Sequence, residues 1–125
     1  VDVRILTPHI PDKKIVFEIT RGFYKQLVEA GVKIYEFTPG FNHTKNFVAD
    51  DSLAIVGSAN TDYRSYFLHY ENGCLMYKTS EIRKIKQNFL DACEKSHLVT
   101  LDEIHKTNVI VRMIRAVLNL MIPLV

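Results

Sequence analysis

The strongest constraint on the fold lies in the first third of the chain, where a helical period gives way to a strand period across one glycine. From residue 13 or 14 to residue 30, apolar side chains recur at Ile15, Ile19, Phe23, Leu27 and Ala30, the spacing of one helix face. Gly31 stands where a left-handed C-terminal cap belongs. Residues 32–37 then alternate as a strand, and residues 1–6 alternate likewise until Thr7-Pro8-His9-Ile10-Pro11-Asp12 breaks them. Strand, helix and strand make a β-α-β unit. Its strands should be parallel with a right-handed crossover, and ligand sites lie beyond the carboxyl ends of such strands. Residues 38–42 are therefore the natural rim of a site. Phe41 and Pro39-Gly40 there either shape a pocket for an acyl chain or headgroup, or simply make a turn at the core edge. Phe23 and Tyr24 on the helix read as core packing.

Beyond that rim the pattern stays strand-like. His43 and Lys45 stand two apart, so a strand would send both side chains from one face. Asp50, Asp51 and Ser52 are turn formers and residues 53–56 are apolar, a pattern that folds as a hairpin and returns Gly57, Ser58 and Asn60 beside His43. Residues 71–78 read as another strand. Thr79 or Ser80 caps a helix over 81–96, with Ile82, Ile85, Phe89 and Cys93 on its inner stripe. Thr100-Leu101-Asp102-Glu103 is a capping box, and a last helix spans 107–121. The expected fold class is α/β, a mixed β-sheet covered by helices. The 125 residues suffice for one small domain, so 1–125 is expected to be a single lobe. Its start at Val1, directly in a strand-like run, reads as a piece of a longer chain.

The residues gathered around His43 suit phosphoryl transfer. A phosphodiester resists attack because its oxygens are already anionic, so a site needs a nucleophile and fixed donors for the charge that builds on them. An imidazole can attack phosphorus or protonate a leaving oxygen through one nitrogen while a carboxylate holds the other. His43 is the candidate for that ring, and Glu71 for its orienter. Lys45 brings a point charge and Asn60 an amide donor. Gly57 permits a close backbone approach. Lys45, Ser58 and Asn60 are the candidate substrate-binding residues.

The string His43-x-Lys45-x4-Asp50-x6-Gly57-Ser58-x-Asn60 resembles the His-Lys-Asp motif of the phospholipase D superfamily. Residues 29–36 (EAGVKIYE), Pro39-Gly40-Phe41 and residues 57–65 (GSANTDYRS) are similar to the C-terminal half of the bacterial cardiolipin synthases. The resemblance covers nearly the whole chain. It implies catalytic roles for His43, Lys45, Asp50, Asn60 and Glu71. It also implies a two-lobe enzyme whose two motifs meet across a pseudo-twofold axis, with one His forming a phosphatidyl-histidine and the other acting as acid and then base. By that resemblance His43, in the second motif, is the acid/base partner, and neither metal nor cofactor is required. The implied partners are an anionic phospholipid, phosphatidylglycerol, an N-terminal lobe or homodimer mate with the other motif, and the membrane surface, on its cytoplasmic side. One departure stands out: the family usually has Asn two residues before the Glu, where this chain has His69. The residues leave open a single-motif homodimeric phosphodiesterase, a non-catalytic lipid-binding lobe and a plain interaction fragment.

Composition narrows the field. Sixteen Lys and Arg against 14 Asp and Glu leave a net charge of +2 with no basic run, which argues against nucleic acid as a partner. Cys74 and Cys93 form no C-x-x-C pair and read as reduced thiols. Cys93 and His97 have the spacing of half a zinc site, but the sequence offers no other two ligands. Residues 109–125 form the most apolar stretch, yet Arg112, Arg115, Asn119 and Pro123 interrupt it, so no membrane span is expected. On that last helix Arg112, Arg115 and Asn119 form one narrow stripe. The wide apolar remainder should be buried against protein, or lie in a membrane interface with its arginines toward anionic headgroups. Arg64 is expected either to meet a lipid phosphate or to pair with Asp62 or Asp50.

Overall fold

A computed structural model describes residues 1–124, so Val125 lies outside the described residues. The chain opens with β1 (Arg4–Pro8), α1 (Lys14–Gly22), α2 (Tyr24–Glu29) and β2 (Lys33–Phe37). β1 and β2 pair in parallel, Ile5 opposite Ile34 and Pro8 opposite Phe37, as a β-α-β unit requires. Pro8, which lacks an N–H to donate, sits at the end of an edge strand, where its absence breaks no interior ladder. The first strand thus lies later than residues 1–6. The crossover is also two helices rather than one: the helix ends at Gly22, a poor helix former, and restarts at Tyr24. Just before the break, Thr20 Oγ1 donates back to the Val16 carbonyl (2.9 Å), a bond that tends to bend helices.

Gly31 closes α2 with a φ of 89°. Its N–H donates to the Val28 carbonyl (3.0 Å) and the Val32 N–H to the Leu27 carbonyl (2.9 Å), the paired bonds of a Schellman cap. Inside this unit Ile34 and Glu36 share the buried face of β2. An acid there needs partners, and α1 and α2 supply them. Arg21 donates twice to Glu36 (2.9 and 2.7 Å), the Tyr24 hydroxyl once (3.2 Å), and His9 Nδ1 lies 2.8 Å away. Burial, with Glu36 beside it, pushes the Tyr24 hydroxyl up to about 12, so it remains a donor. Around this network Tyr24, Ile34 and Val99 form a core with Leu27, Val28, Val32 and Ile104.

The chain continues with β3 (Asn46–Ala49), β4 (Leu53–Gly57), α3 (Tyr63–Phe67), β5 (Gly73–Tyr77) and α4 (Glu81–Glu94). β3, β4 and β5 make an antiparallel sheet in that order. A short β6 (His97–Leu98), not evident in the sequence, adds antiparallel to β2. The architecture is α/β, with the strands divided into one mixed sheet, β1-β2-β6, and one antiparallel sheet, β3-β4-β5. α4 touches β1 and β2 as well as β3 and β4, with Ile82 and Cys93 buried. One amphipathic helix therefore underlies both sheets.

α5 (Leu101–Lys106) carries the capping box, Thr100 accepting from the Glu103 N–H and Glu103 accepting from the Thr100 N–H. α6 (Val109–Leu118) runs into a 3-10 turn, Asn119–Leu124. α6 packs on α1, where Arg115 Nε donates to Glu18 (2.8 Å). Asn119 fits over Gly22, where an added Cβ would stand 3.0 Å from its side-chain oxygen.

Candidate active site

The site takes shape at one end of the β3-β4-β5 sheet. Asp50 and Asp51 form the hairpin tip at the other end, with φ of 49° and 58°, and Ser52 N–H closes the turn on the Ala49 carbonyl (3.1 Å). Two left-handed residues in a row make the hairpin turn whose twist suits its strands, and short polar side chains such as Asp tolerate that backbone best. The four residues of β3, a strand about 13 Å long, thus stand between Asp50 and Lys45. The structure does not bring it to His43. Its place is the turn, as its reading as a turn former expects, and it stands apart from the residues gathered beside His43.

At the site end, the Gly57 N–H donates to the Lys45 carbonyl (3.1 Å), and the Ser58 N–H to the Asn72 carbonyl (2.9 Å). Gly57 is required there: a Cβ on it would meet the Asn72 carbonyl oxygen and stand 2.8 Å from Gly73 Cα. That approach draws β4 and β5 together, so Lys45 and Glu71 line the same cavity of about 220 Å³, with Phe47, Ile55, Ala59 and Asn72.

His43 and Lys45 lie just before β3 rather than in a strand. They are nonetheless joined: Lys45 Nζ donates to His43 Nδ1 (2.6 Å) and to the His43 carbonyl (2.9 Å). Phe41 stacks on the imidazole with centroids 5.7 Å apart and planes at 15°. An ammonium group has no lone pair, so Nδ1 must accept, and the proton of a neutral ring then resides on Nε2.

Glu71 does not hold His43. Its carboxylate accepts from the Ser58 hydroxyl, while His69 Nδ1 lies 3.8 Å from its other oxygen. Lys45 occupies Nδ1 and Ser58 occupies Glu71, so the two residues belong to separate hydrogen-bonded pairs with no direct bond between them among the described residues. The Ser58 hydroxyl first, and the Ser65 hydroxyl with it, hold the Glu71 carboxyl below the ordinary range. Glu71 is a carboxylate at neutral pH, and Lys45 and His69 add favourable charge.

Ser65 and His69 are the residues that reading the sequence undervalued. Asp62 caps α3 by accepting from the Ser65 N–H (2.7 Å), and the buried Ser65 Oγ accepts from the Asn60 N–H (3.0 Å). The signal was present in the order Asn60-x-Asp62-x-x-Ser65, a cap followed by a hydroxyl one turn in. Asn60 is tied down by its backbone, which leaves its side-chain amide without a bond among the described residues. Arg64 forms neither expected ion pair: Asp62 is the cap, Asp50 is at the hairpin tip, and Arg64 Nη2 instead lies 3.3 Å from His69 Nε2. Among the described residues, no group of three or more His, Cys, Asp or Glu side chains is placed to hold a metal ion.

Residues 1–93 match the family described as "Cardiolipin synthase, PLD-like domain". Over 99% of its length the chain is 44% identical to an uncharacterized protein of Streptococcus mutans, covering 27% of that protein. Over the same share it is 41% identical to cardiolipin synthase 2 of Bacillus anthracis and 40% identical to cardiolipin synthase of Geobacillus kaustophilus, covering 24% and 25% of them. The chain thus spans about a quarter of the length of these curated relatives. With a family match across most of its residues, the chain belongs to the cardiolipin synthase, PLD-like domain family.

Proposed function

We propose that this chain is the lobe supplying the second His-Lys-Asp motif of a phosphatidyltransferase, which makes cardiolipin and glycerol from two phosphatidylglycerols at the membrane surface. The observation that carries the reading is the bond from Lys45 Nζ to His43 Nδ1, which leaves a proton on Nε2. A ring in that state is an acid toward a leaving oxygen, not a nucleophile. In the first step a histidine of the other motif bonds to phosphorus, the bond from phosphorus to the glycerol oxygen breaks, and His43 Nε2 gives that oxygen its proton as Lys45 Nζ passes one to Nδ1, so that the ring stays neutral. In the second, the hydroxyl of another phosphatidylglycerol attacks phosphorus and passes its proton to Nε2 as the P–N bond breaks and Nδ1 returns its proton to Lys45. Lys45 and the Asn60 amide stabilise the charge on the non-bridging oxygens. Glu71, kept ionised by Ser58, balances Lys45 across the cavity.

The test uses the longer protein that carries this segment, with phosphatidylglycerol in mixed micelles and both cardiolipin and glycerol measured. His43→Ala should lower turnover by about 10²- to 10⁴-fold, the range for loss of a general acid. Unchanged turnover would remove His43 from the reaction. Residues 1–125 as a verified monomer should give no sustained turnover, because one ring cannot serve as both nucleophile and acid. Turnover by that monomer, abolished by His43→Ala, would overturn the two-lobe scheme.

A further inference from the structure

The last helix is turned the wrong way for a surface that meets only water. On α6, Ile110, Met113, Ile114 and Val117 have the i, i+3, i+4, i+7 spacing of one face, and their exposures run from 52% to 65%. Leu120, at 81%, extends it. Val111, Arg115 and Leu118 occupy the less exposed side, and there Arg115 is tied to Glu18 of α1. The ion pair therefore faces inward and the aliphatic side faces out. α3 packs against the 3-10 turn that continues α6, and its Tyr63, Tyr66 and Phe67 rings are exposed.

The charge around the patch identifies its occupant. Residues 104–125 contain no Asp or Glu, whereas Lys106 and Arg112 are exposed on that stretch. An exposed aliphatic helix face, exposed Tyr and Phe rings on the helix that packs against its C-terminal turn, and Lys106 and Arg112 with no ion pair among the described residues match the boundary between acyl chains and anionic headgroups. Ten residues of helix span about 15 Å, half of a bilayer's hydrocarbon core. Among the described residues no helix is long and apolar enough to cross a membrane. We infer that the face formed by α6 and α3 docks in the plane of an anionic bilayer, at the level of the headgroups. This inference rests on the proposed reading in one respect: a site that consumes phosphatidylglycerol must draw it from a membrane, and α3 lies in the chain between Asn60 and Glu71.

The experiment places an environment-sensitive fluorophore at Ile114→Cys in the longer protein, with exposed thiols, Cys74 included, replaced by Ser. With phosphatidylglycerol vesicles the emission should shift to the blue and respond to quenchers on the acyl chains, and with phosphatidylcholine vesicles it should do neither. Arg112→Glu should weaken the response about fivefold or more. Turnover on vesicles should fall at least about tenfold in Ile110→Glu/Ile114→Glu, whereas turnover on short-chain phosphatidylglycerol below its micellar concentration is retained. Retained turnover also shows that this variant is folded. A probe that stays open to aqueous iodide beside anionic vesicles would overturn the inference. So would a probe shielded from iodide before lipid is added, which would mean that protein covers the face. His43→Ala should lower turnover by about 10²- to 10⁴-fold yet leave the vesicle response intact, so failure of docking and failure of the proposed chemistry give different results.

Discussion

Lys45 Nζ stands 2.6 Å from Nδ1 of His43 and 2.9 Å from the carbonyl oxygen of the same residue. The lysine thereby determines which nitrogen of the ring carries the proton, a role that in many histidine sites falls to a carboxylate. The consequence is specific. Nitrogen-15 shifts of His43 at a pH where the ring is neutral should report a bare Nδ1 and a protonated Nε2, and Lys45→Met should populate both tautomers. Identical shifts in the two proteins would mean that Lys45 does not hold the ring.

Ser58 should be readable in the titration of its neighbour. The carboxyl of Glu71 lies below the ordinary range chiefly because the Ser58 hydroxyl donates to it, so Ser58→Ala should move it upward. Carbon-13 carboxyl titration of both proteins measures this. A Glu71 midpoint unchanged by the substitution would assign the shift to Ser65 or to charge instead.

Gly57→Ala should be costly although the residue makes no side-chain contact. Its Cβ would have to displace the backbone at Asn72 and Gly73, which no rotamer change can relieve. A loss of about 1–3 kcal/mol is expected from urea unfolding. The same substitution at Gly40, where nothing lies within 4 Å of a Cβ, should cost far less.

Asp50 offers a contrast between chemistry and conformation. At φ 49° a β-branched residue is strained, so Asp50→Val should destabilise by about 1–2 kcal/mol while Asp50→Asn stays within about 0.5 kcal/mol of the native chain. Equal losses in thermal or urea unfolding would show that the carboxylate itself, and not the turn, matters there.

Acid should weaken the β-α-β unit through Glu36. Burial by itself raises this carboxyl, but the bonds from Arg21 and His9 outweigh burial and leave it below its ordinary range. A carboxyl depressed in the folded state adds stability above its unfolded value, and that stability fades as the pH falls through the folded value. Urea midpoints should therefore drop below about pH 5, with a shallower drop in Glu36→Gln. That variant should also lose about 2 kcal/mol near neutrality, because Arg21 keeps only a neutral partner. A slope identical in both proteins would exclude Glu36 as the source.

Much of this was legible in one dimension because the governing interactions are local. The helical period up to Ala30 and the glycine after it predicted a capped helix, and Gly31 caps it with both Schellman bonds. Two Asp residues ahead of an apolar run predicted a hairpin, and Thr100 with Glu103 a capping box. What the pattern misplaced depended on contacts distant in the chain. The crossover helix divides at Gly22, over which Asn119 packs from nearly a hundred residues away. The strand-like alternation at His43 is overridden because the ladder with β4 begins only at Asn46.

The sequence by itself determined the residue types of the site, their spacing, the hairpin that returns Gly57 to Lys45, and the family to which such a string belongs. Each of these follows from backbone preferences acting over a few residues or from an order of letters. Only the tertiary structure decided the pairings: Lys45 rather than Glu71 on His43, Ser58 on Glu71, Ser65 on Asn60, and Asp50 apart from them all. It also decided that the last helix turns Arg115 inward while Arg112 and an aliphatic face stay exposed. The physical reason is that a hydrogen bond a few ångströms long goes to whichever donor the fold brings within reach. Period and composition state which groups are present on a face, but the packing of one element on another decides which face is covered.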